Sequence, residues 1–191
     1  GWLRITSLDE ELDDCLPDWL AALPERAEIQ GQTWQLKVRA SAHDWAGRAT
    51  YTELQAQLLD FNPPSRWQVE LASPTAFNGK KAQFPYPLPE LMVRSWWERW
   101  NAFAPIALSE EYVQAAREDL ATGGYRLHTQ TLNEGPRRVT GCVGTAWWRA
   151  VDMPPELRAG LNLLCAYAFY SGTGYHTTQG MGMTRISAQV R

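Results

Sequence analysis

The segment Ser171-Gly172-Thr173-Gly174-Tyr175-His176-Thr177-Thr178-Gln179-Gly180-Met181-Gly182 constrains this chain more than any other. Four glycines fall within eleven residues, interleaved with hydroxyls, an amide and an imidazole and carrying no formal charge. Glycine is favoured where the backbone takes positive φ or where another group must approach it closely. A bend of this kind can also present successive N–H groups as a concave seat for an anion. Two readings stand at this point: a cradle for phosphate, or a helix cap followed by a turn into a strand.

The flanks narrow the first reading. Pro154-Pro155-Glu156 opens a segment in which Leu157, Leu161, Leu164, Cys165, Ala168 and Phe169 recur at helical period. Met183–Val190 reads as a short strand. The order is helix, loop, strand. A dinucleotide fingerprint needs strand, loop, helix, and its third glycine position, counted from Gly172, is Thr177 here. No Gly-Lys-Ser/Thr follows the loop, which excludes a P-loop.

Composition bounds the remaining classes. A chain of 191 residues with 45% hydrophobic and 20% charged residues can bury a real core, as one domain or two small ones. Net charge is −3, against a strongly basic nucleic-acid binder, but the charge is uneven. Residues 1–124 hold 11 Lys+Arg and 18 Asp+Glu; residues 125–191 hold 7 and 3, so the glycine loop sits in the basic third. Ten tryptophans, including Trp96-Trp97, Trp100 and Trp147-Trp148, serve either as core anchors or as base-stacking platforms. Cys15, Cys142 and Cys165 are odd in number and sit in apolar contexts, which reads as free buried thiols in a reducing cytosol. No Cys/His spacing fits a zinc site, and neither a signal peptide nor a bilayer-spanning run is visible.

Along the chain, Trp2–Leu8 reads as a strand and Asp9–Leu20 as an acidic amphipathic helix kinked or restarted at Pro17. Thr33–Arg39 reads as a second strand and Tyr51–Leu59 as helical. Asn62-Pro63-Pro64-Ser65 marks the best boundary. Beyond it the pattern predicts a strand at Trp67–Ala72 and helices at Leu88–Phe103 and Glu110–Leu120. A hairpin of Tyr125–Leu132 and Val139–Ala150, the helix at 155–169 and the last strand complete the series. This β-α-β-β-α-β order is the ferredoxin-like unit, shared with RNA-recognition motifs. The fold class expected is α+β with tandem ferredoxin-like domains. Residues 1–62 form the C-terminal part of a first domain, incomplete at its N-terminus, and 63–191 form the second.

The run Phe169–Gly182 resembles the C-terminal glycine-rich signature of the CRISPR-associated endoribonucleases of the RAMP superfamily, which process precursor CRISPR RNA. Leu71-Ala72-Ser73-Pro74-Thr75-Ala76-Phe77, Pro87-Leu88-Pro89 leading into Trp97-Glu98-Arg99-Trp100-Asn101, and Val139-Thr140-Gly141-Cys142-Val143-Gly144 also fit. So do Trp2–Thr6 and Ala46–Leu54, so the resemblance spans nearly the whole chain. It implies a metal-independent endoribonuclease without cofactor, acting on CRISPR repeat RNA in the cytoplasm, with effector-complex subunits as further partners and no membrane. The ribose 2′-hydroxyl attacks the adjacent phosphate, which calls for a base, an acid and positive charge. The alternative is a non-catalytic RNA-binding subunit of an effector complex.

The family's catalytic histidine is expected upstream of Gly1, so no catalytic residue carries over. Within the chain, His43 is a candidate acid or base or else a solvated loop histidine. His128 reads as structural. Gly172, Gly174, His176, Thr177, Thr178, Gln179, Gly180 and Gly182 are the expected RNA-binding residues, joined by Lys80, Lys81, Arg137 and Arg138. The last four read equally as solvated hairpin tips.

Overall fold

A computed structural model describes residues 4–29, 31–37, 43–79, 83–134 and 137–189. The chain divides into two compact units, Gly1–Ala49 and Thr50–Arg191.

In the first unit, helix α1 (Glu10–Ala21) starts where the Asp9 carboxylate accepts the Leu12 N–H at 3.1 Å, satisfying one of the orphan donors of a helix N-terminus. It runs continuously through Pro17. Strands β1 (Arg26–Ile29) and β2 (Gln32–Gln35) form an antiparallel hairpin. Arg4–Leu8 is irregular where the alternation predicts a strand over Trp2–Leu8; Trp2 and Leu3 lie outside the described residues. Likewise the strand expected over Thr33–Arg39 is only Gln32–Gln35, with Val38 and Arg39 outside them. Alternation becomes a strand only where a neighbour supplies a ladder, and among the described residues of this unit β1 and β2 have only each other.

The second unit opens on a capping box. Thr50 Oγ1 accepts the Glu53 N–H at 3.1 Å, and the Glu53 carboxylate accepts the Thr50 N–H at 2.7 Å, launching α2 (Tyr51–Gln55). A 3-10 turn, Ala56–Leu59, follows. The remaining elements are β3 (Arg66–Thr75), a small antiparallel hairpin of β4 (Phe77–Asn78) and β5 (Gln83–Phe84), α3 (Pro89–Phe103), α4 (Glu111–Glu118), β6 (Leu120–Glu134), β7 (Arg137–Ala150), α5 (Pro155–Ser171) and β8 (Thr184–Ala188). Four strands form one antiparallel sheet in the order β6-β7-β3-β8. With helices after the first and third of these strands, this is the ferredoxin-like arrangement that the element order predicts.

The core follows from period. On β3, Trp67, Val69 and Leu71 alternate inward, facing Trp148 and Ala146 of β7 in register. Helix α3 buries Met92, Val93, Trp96 and Trp100, one helical stripe, and α5 buries Leu161, Leu164, Cys165 and Ala168. Trp96 lies against Trp148 at 6.0 Å between ring centres, and Trp100 meets Tyr167 edge-on at 5.1 Å. Such pairs contribute about 0.5–1.5 kcal/mol each beyond their buried area. Trp67, Trp96, Trp100 and Trp148 are therefore core anchors and not stacking platforms; Trp97 and Trp147 are partly exposed.

Residues 50–63 are tied to α5. Asn162 donates to the Gln57 side chain at 2.7 Å and accepts the Trp67 indole N–H at 3.1 Å, while Arg158 donates to the Pro63 carbonyl at 2.9 Å. Among the described residues no helix is long and apolar enough to cross a membrane.

The cysteines correct one expectation. Cys142 and Cys165 are buried, but Cys15 is exposed, on a helical stripe of α1 shared with Leu12 and Trp19, which are exposed as well. Burial pushes the Cys142 thiol up to about 11 and raises Cys165 further. At pH 8 both stay protonated and unreactive, since the thiolate is the nucleophile. Iodoacetamide followed by mass spectrometry should label Cys15 in the native protein, and Cys142 and Cys165 only after denaturation.

Candidate nucleic-acid interface

The glycine loop leaves α5 at Gly172, whose φ of 66° ends the helix, and returns at Thr184 into β8. Between them it closes on itself and on two neighbours. Thr173 is fully buried; its N–H donates to the Gly182 carbonyl at 2.8 Å, and its hydroxyl oxygen accepts from the Trp96 indole N–H and from the Thr184 hydroxyl, each at 2.7 Å. The Gly182 N–H donates to the Pro74 carbonyl at 2.9 Å and the Tyr175 N–H to the Ala76 carbonyl at 2.8 Å, docking the loop along the end of β3. From the other side, Ser95 of α3 accepts the Gly174 N–H at 2.8 Å.

Close approach explains the glycines. A Cβ on Gly174, at φ 76°, would lie 2.3 Å from the Ala76 carbonyl oxygen, and one on Gly182, at φ 71°, would lie 2.0 Å from the Thr173 carbonyl oxygen. Gly180 is different. It takes φ 86° with nothing within 4 Å of an added Cβ. The successive N–H groups that the glycine pattern suggests as an open nest are, at 172–175 and 179–183, bonded within the protein. What faces outward is the tip: Thr178, Gln179 and Gly180 are exposed, and His176 and Thr177 are half-buried. His176 takes a left-handed conformation, φ 55°, and its carbonyl accepts the N–H groups of Gln179 and Met181, which closes the one-turn 3-10 helix at 177–179. Its ring lies against Tyr175, 3.5 Å between centres.

Arg99, which sequence reasoning places only within a supporting motif, is the cation of this site. It lies one helical turn beyond Ser95 on α3 and donates to the Ser95 carbonyl at 3.1 Å and to the Ser95 hydroxyl. Its other terminal nitrogen donates to the Gly174 carbonyl at 2.6 Å and to Thr177 Oγ1 at 3.3 Å. Burial pulls its pKa below the ordinary arginine value, with Tyr167 and Glu98 opposing. The i, i+4 relation of Ser95 and Arg99 is legible in the sequence; that both point at a loop some 75 residues later is not.

The basic hairpins converge on the same end of the sheet. Met181 of the loop packs with Ala76, just before β4, and with Val139 of β7, against which Leu132 also packs. Gln83 of β5 accepts the Thr140 N–H at 3.3 Å. The β4–β5 hairpin, through Ala76 just before it and Gln83, and the turn end of the β6–β7 hairpin, through Leu132, Val139 and Thr140, thus lie beside the loop. Lys80 and Lys81 lie outside the described residues. Arg137 pairs with Glu134 through the backbone register, and Arg138 is exposed. His128 is exposed on β6 opposite Val143. His43, in the first unit, is exposed; its Nδ1 accepts the Trp45 N–H at 3.2 Å, an arrangement that leaves the proton of a neutral ring on Nε2. Among the described residues no group of three or more His, Cys, Asp or Glu converges as a metal site would require.

Comparisons with known proteins agree with this architecture. The family model described as CRISPR-associated endoribonuclease Cas6 matches residues 69–184, from β3 to β8. A Cas6 product complex superposes with a TM-score of 0.82 at 28% identity, covering 94% of this chain and 74% of that one. A Cas6 substrate mimic complex gives 0.78 at 28% identity, covering 94% and 76%. A Thermus thermophilus Cas6 gives 0.77 at 25% identity, covering 92% and 71%. Comparison with curated protein sequences gives no match.

Two substitutions separate packing from conformation in the loop. Gly180→Ala meets only the positive-φ penalty, about 1–2 kcal/mol. Gly182→Ala adds a clash with the Thr173 carbonyl and should cost a further ~1–3 kcal/mol. Thr173→Val, which orphans the Trp96 indole N–H, should cost about 1–3 kcal/mol. Urea unfolding followed by tryptophan fluorescence measures all three.

Proposed function

This chain belongs to the CRISPR-associated endoribonuclease Cas6 family, and from that premise we propose that it cleaves CRISPR repeat RNA without a metal ion, by attack of the substrate's own 2′-hydroxyl. The family match over the whole unit that ends in the glycine loop is the observation that carries the reading. The solved relatives include a product complex and a substrate mimic complex, which supports RNA as the partner. In this reading the ribose 2′-oxygen attacks the adjacent phosphorus and gives up its proton to a base. The P–O5′ bond breaks, and the departing 5′-oxygen takes a proton from an acid. A cyclic phosphate and a 5′-hydroxyl remain. The nucleophile belongs to the substrate, so no metal-bound water has to be generated.

The loop tip, Thr177–Gly180 with His176, is the surface we assign to the RNA backbone, with Lys80, Lys81, Arg137 and Arg138 assigned as further phosphate contacts. Gly172, Gly174 and Gly182 serve by shaping the loop that carries this tip. His43 is the in-chain candidate for proton transfer, an imidazole being able to serve as acid or base. In this reading residues 1–62 are part of a first ferredoxin-like domain and 63–191 form the second, although residues 50–59 pack on α5 of the second unit. Action on guide-RNA precursors implies a cytoplasmic enzyme that passes its product to other subunits of an effector complex.

The test is cleavage of the cognate repeat RNA in the presence of EDTA. The expected result is one cut leaving a cyclic phosphate, abolished by a single 2′-deoxy substitution at the scissile position that leaves binding intact. Cleavage that requires a divalent ion, or that survives the 2′-deoxy substitution, overturns the mechanism; tight binding with no cleavage points to an RNA-holding subunit. His43→Ala should slow single-turnover cleavage at least ~100-fold with unchanged affinity, the loss typical of a general acid or base. An unaltered rate assigns proton transfer to another group.

A further inference from the structure

Among the described residues, no carboxylate is paired with Arg99. Arg99 is half-buried, and a guanidinium partly withdrawn from water ordinarily faces a carboxylate, because an unpaired charge there is costly. Four of the five guanidinium N–H groups of Arg99 are directed at neutral acceptors: the Ser95 carbonyl and hydroxyl, the Gly174 carbonyl and Thr177 Oγ1. Among the described residues it has no carboxylate within ion-pairing distance, and the neighbouring Glu98 is exposed. The positive charge therefore sits beneath the loop with no carboxylate bonded to it, the exposed Glu98 acting on it only at a distance.

We propose that Arg99 is a positioning residue that holds this charge for one RNA phosphate and acts on it through the hydroxyl of Thr177. The proposal rests on the RNA reading above. Arg99 donates to Thr177 Oγ1 and so occupies one lone pair of that oxygen. The hydroxyl hydrogen is left to donate away from the guanidinium, and a donor polarised by a cation binds an anion more strongly. The second bond from the same nitrogen, to the Gly174 carbonyl at 2.6 Å, fixes the loop at the point where it turns toward the tip. A phosphate at the tip would supply the missing negative charge without any rearrangement of α3.

A clamp without electrostatic function predicts something different, and salt dependence separates the two. Affinity for the cognate repeat RNA is measured by fluorescence anisotropy between about 50 and 200 mM salt. Each phosphate neutralised contributes roughly 0.7–0.9 to the slope of log affinity against log salt. Arg99→Gln should flatten the slope by about that one increment and weaken binding on the order of tenfold, whereas Arg99→Lys should keep the slope. A folded Arg99→Gln variant with the wild-type slope overturns the proposal, even if its affinity or melting temperature falls. If Arg99→Gln does not fold, Thr177→Val decides, since it keeps the side-chain shape and removes the donor. It should bind several-fold more weakly while Thr177→Ser binds as wild type, and wild-type affinity in Thr177→Val overturns the proposal. Failure of the wild-type protein to bind repeat RNA at all would instead sink the functional reading, and this proposal with it.

Discussion

The hydroxyl of Thr173 is the point on which the second unit turns. It is fully buried and accepts from the Trp96 indole of α3 and the Thr184 hydroxyl of β8, while the backbone of the same residue bonds to Gly182. One side chain thus joins the central helix, the end of α5 and the edge strand. A buried polar group is tolerated only when its partners are supplied, and here each partner belongs to a different element. The register of the loop is set by that requirement, and the tip is exposed as a consequence.

From this hub the division of labour among the glycines follows. Gly174 and Gly182 let the chain pass so close to other backbone that an added Cβ would lie 2.3 and 2.0 Å from a carbonyl oxygen. Gly180 is spared that crowding and sits at the tip beside Thr178 and Gln179. A segment that reads as a uniform cradle is in fact a rigid base and a small outward turn. The consequence for recognition is that few groups face the solvent, and the charge behind them comes from Arg99 on another element. The two basic hairpins are brought alongside through Met181, Ala76 and Val139, an apolar contact of no chemical interest in itself.

Much of the fold was legible because period and punctuation agreed. Helix α3 begins where Pro87-Leu88-Pro89 forbids continuation of the preceding strand and shows a stripe of Met92, Val93, Trp96 and Trp100; α5 begins at Pro155 for the same reason. The 51–59 segment reads as helical in the sequence, and the structure adds the capping box that starts it. Where the reading failed, at Arg4–Leu8 and along Thr33–Arg39, the residues alternate as strands do, but pairing is a property of neighbours and not of the segment. Cys15 was misjudged for a related reason. An apolar context in sequence does not specify which way a helix face is turned.

The amino-acid sequence alone determined the order of the main elements of the second unit, the ferredoxin-like class, the exclusion of nucleotide folds and the place of the glycine loop, because these depend on local period, on proline and glycine, and on the order of segments. The tertiary structure decided which glycines pack and which are free to meet a ligand, since that depends on what lies opposite in space. It also decided that Trp67, Trp96, Trp100 and Trp148 are core and that Arg99, visible in the sequence only as part of the Trp97–Asn101 motif, lies under the loop with no carboxylate paired to it among the described residues. Such a role requires a partner some 75 residues distant, which no spacing in the sequence encodes.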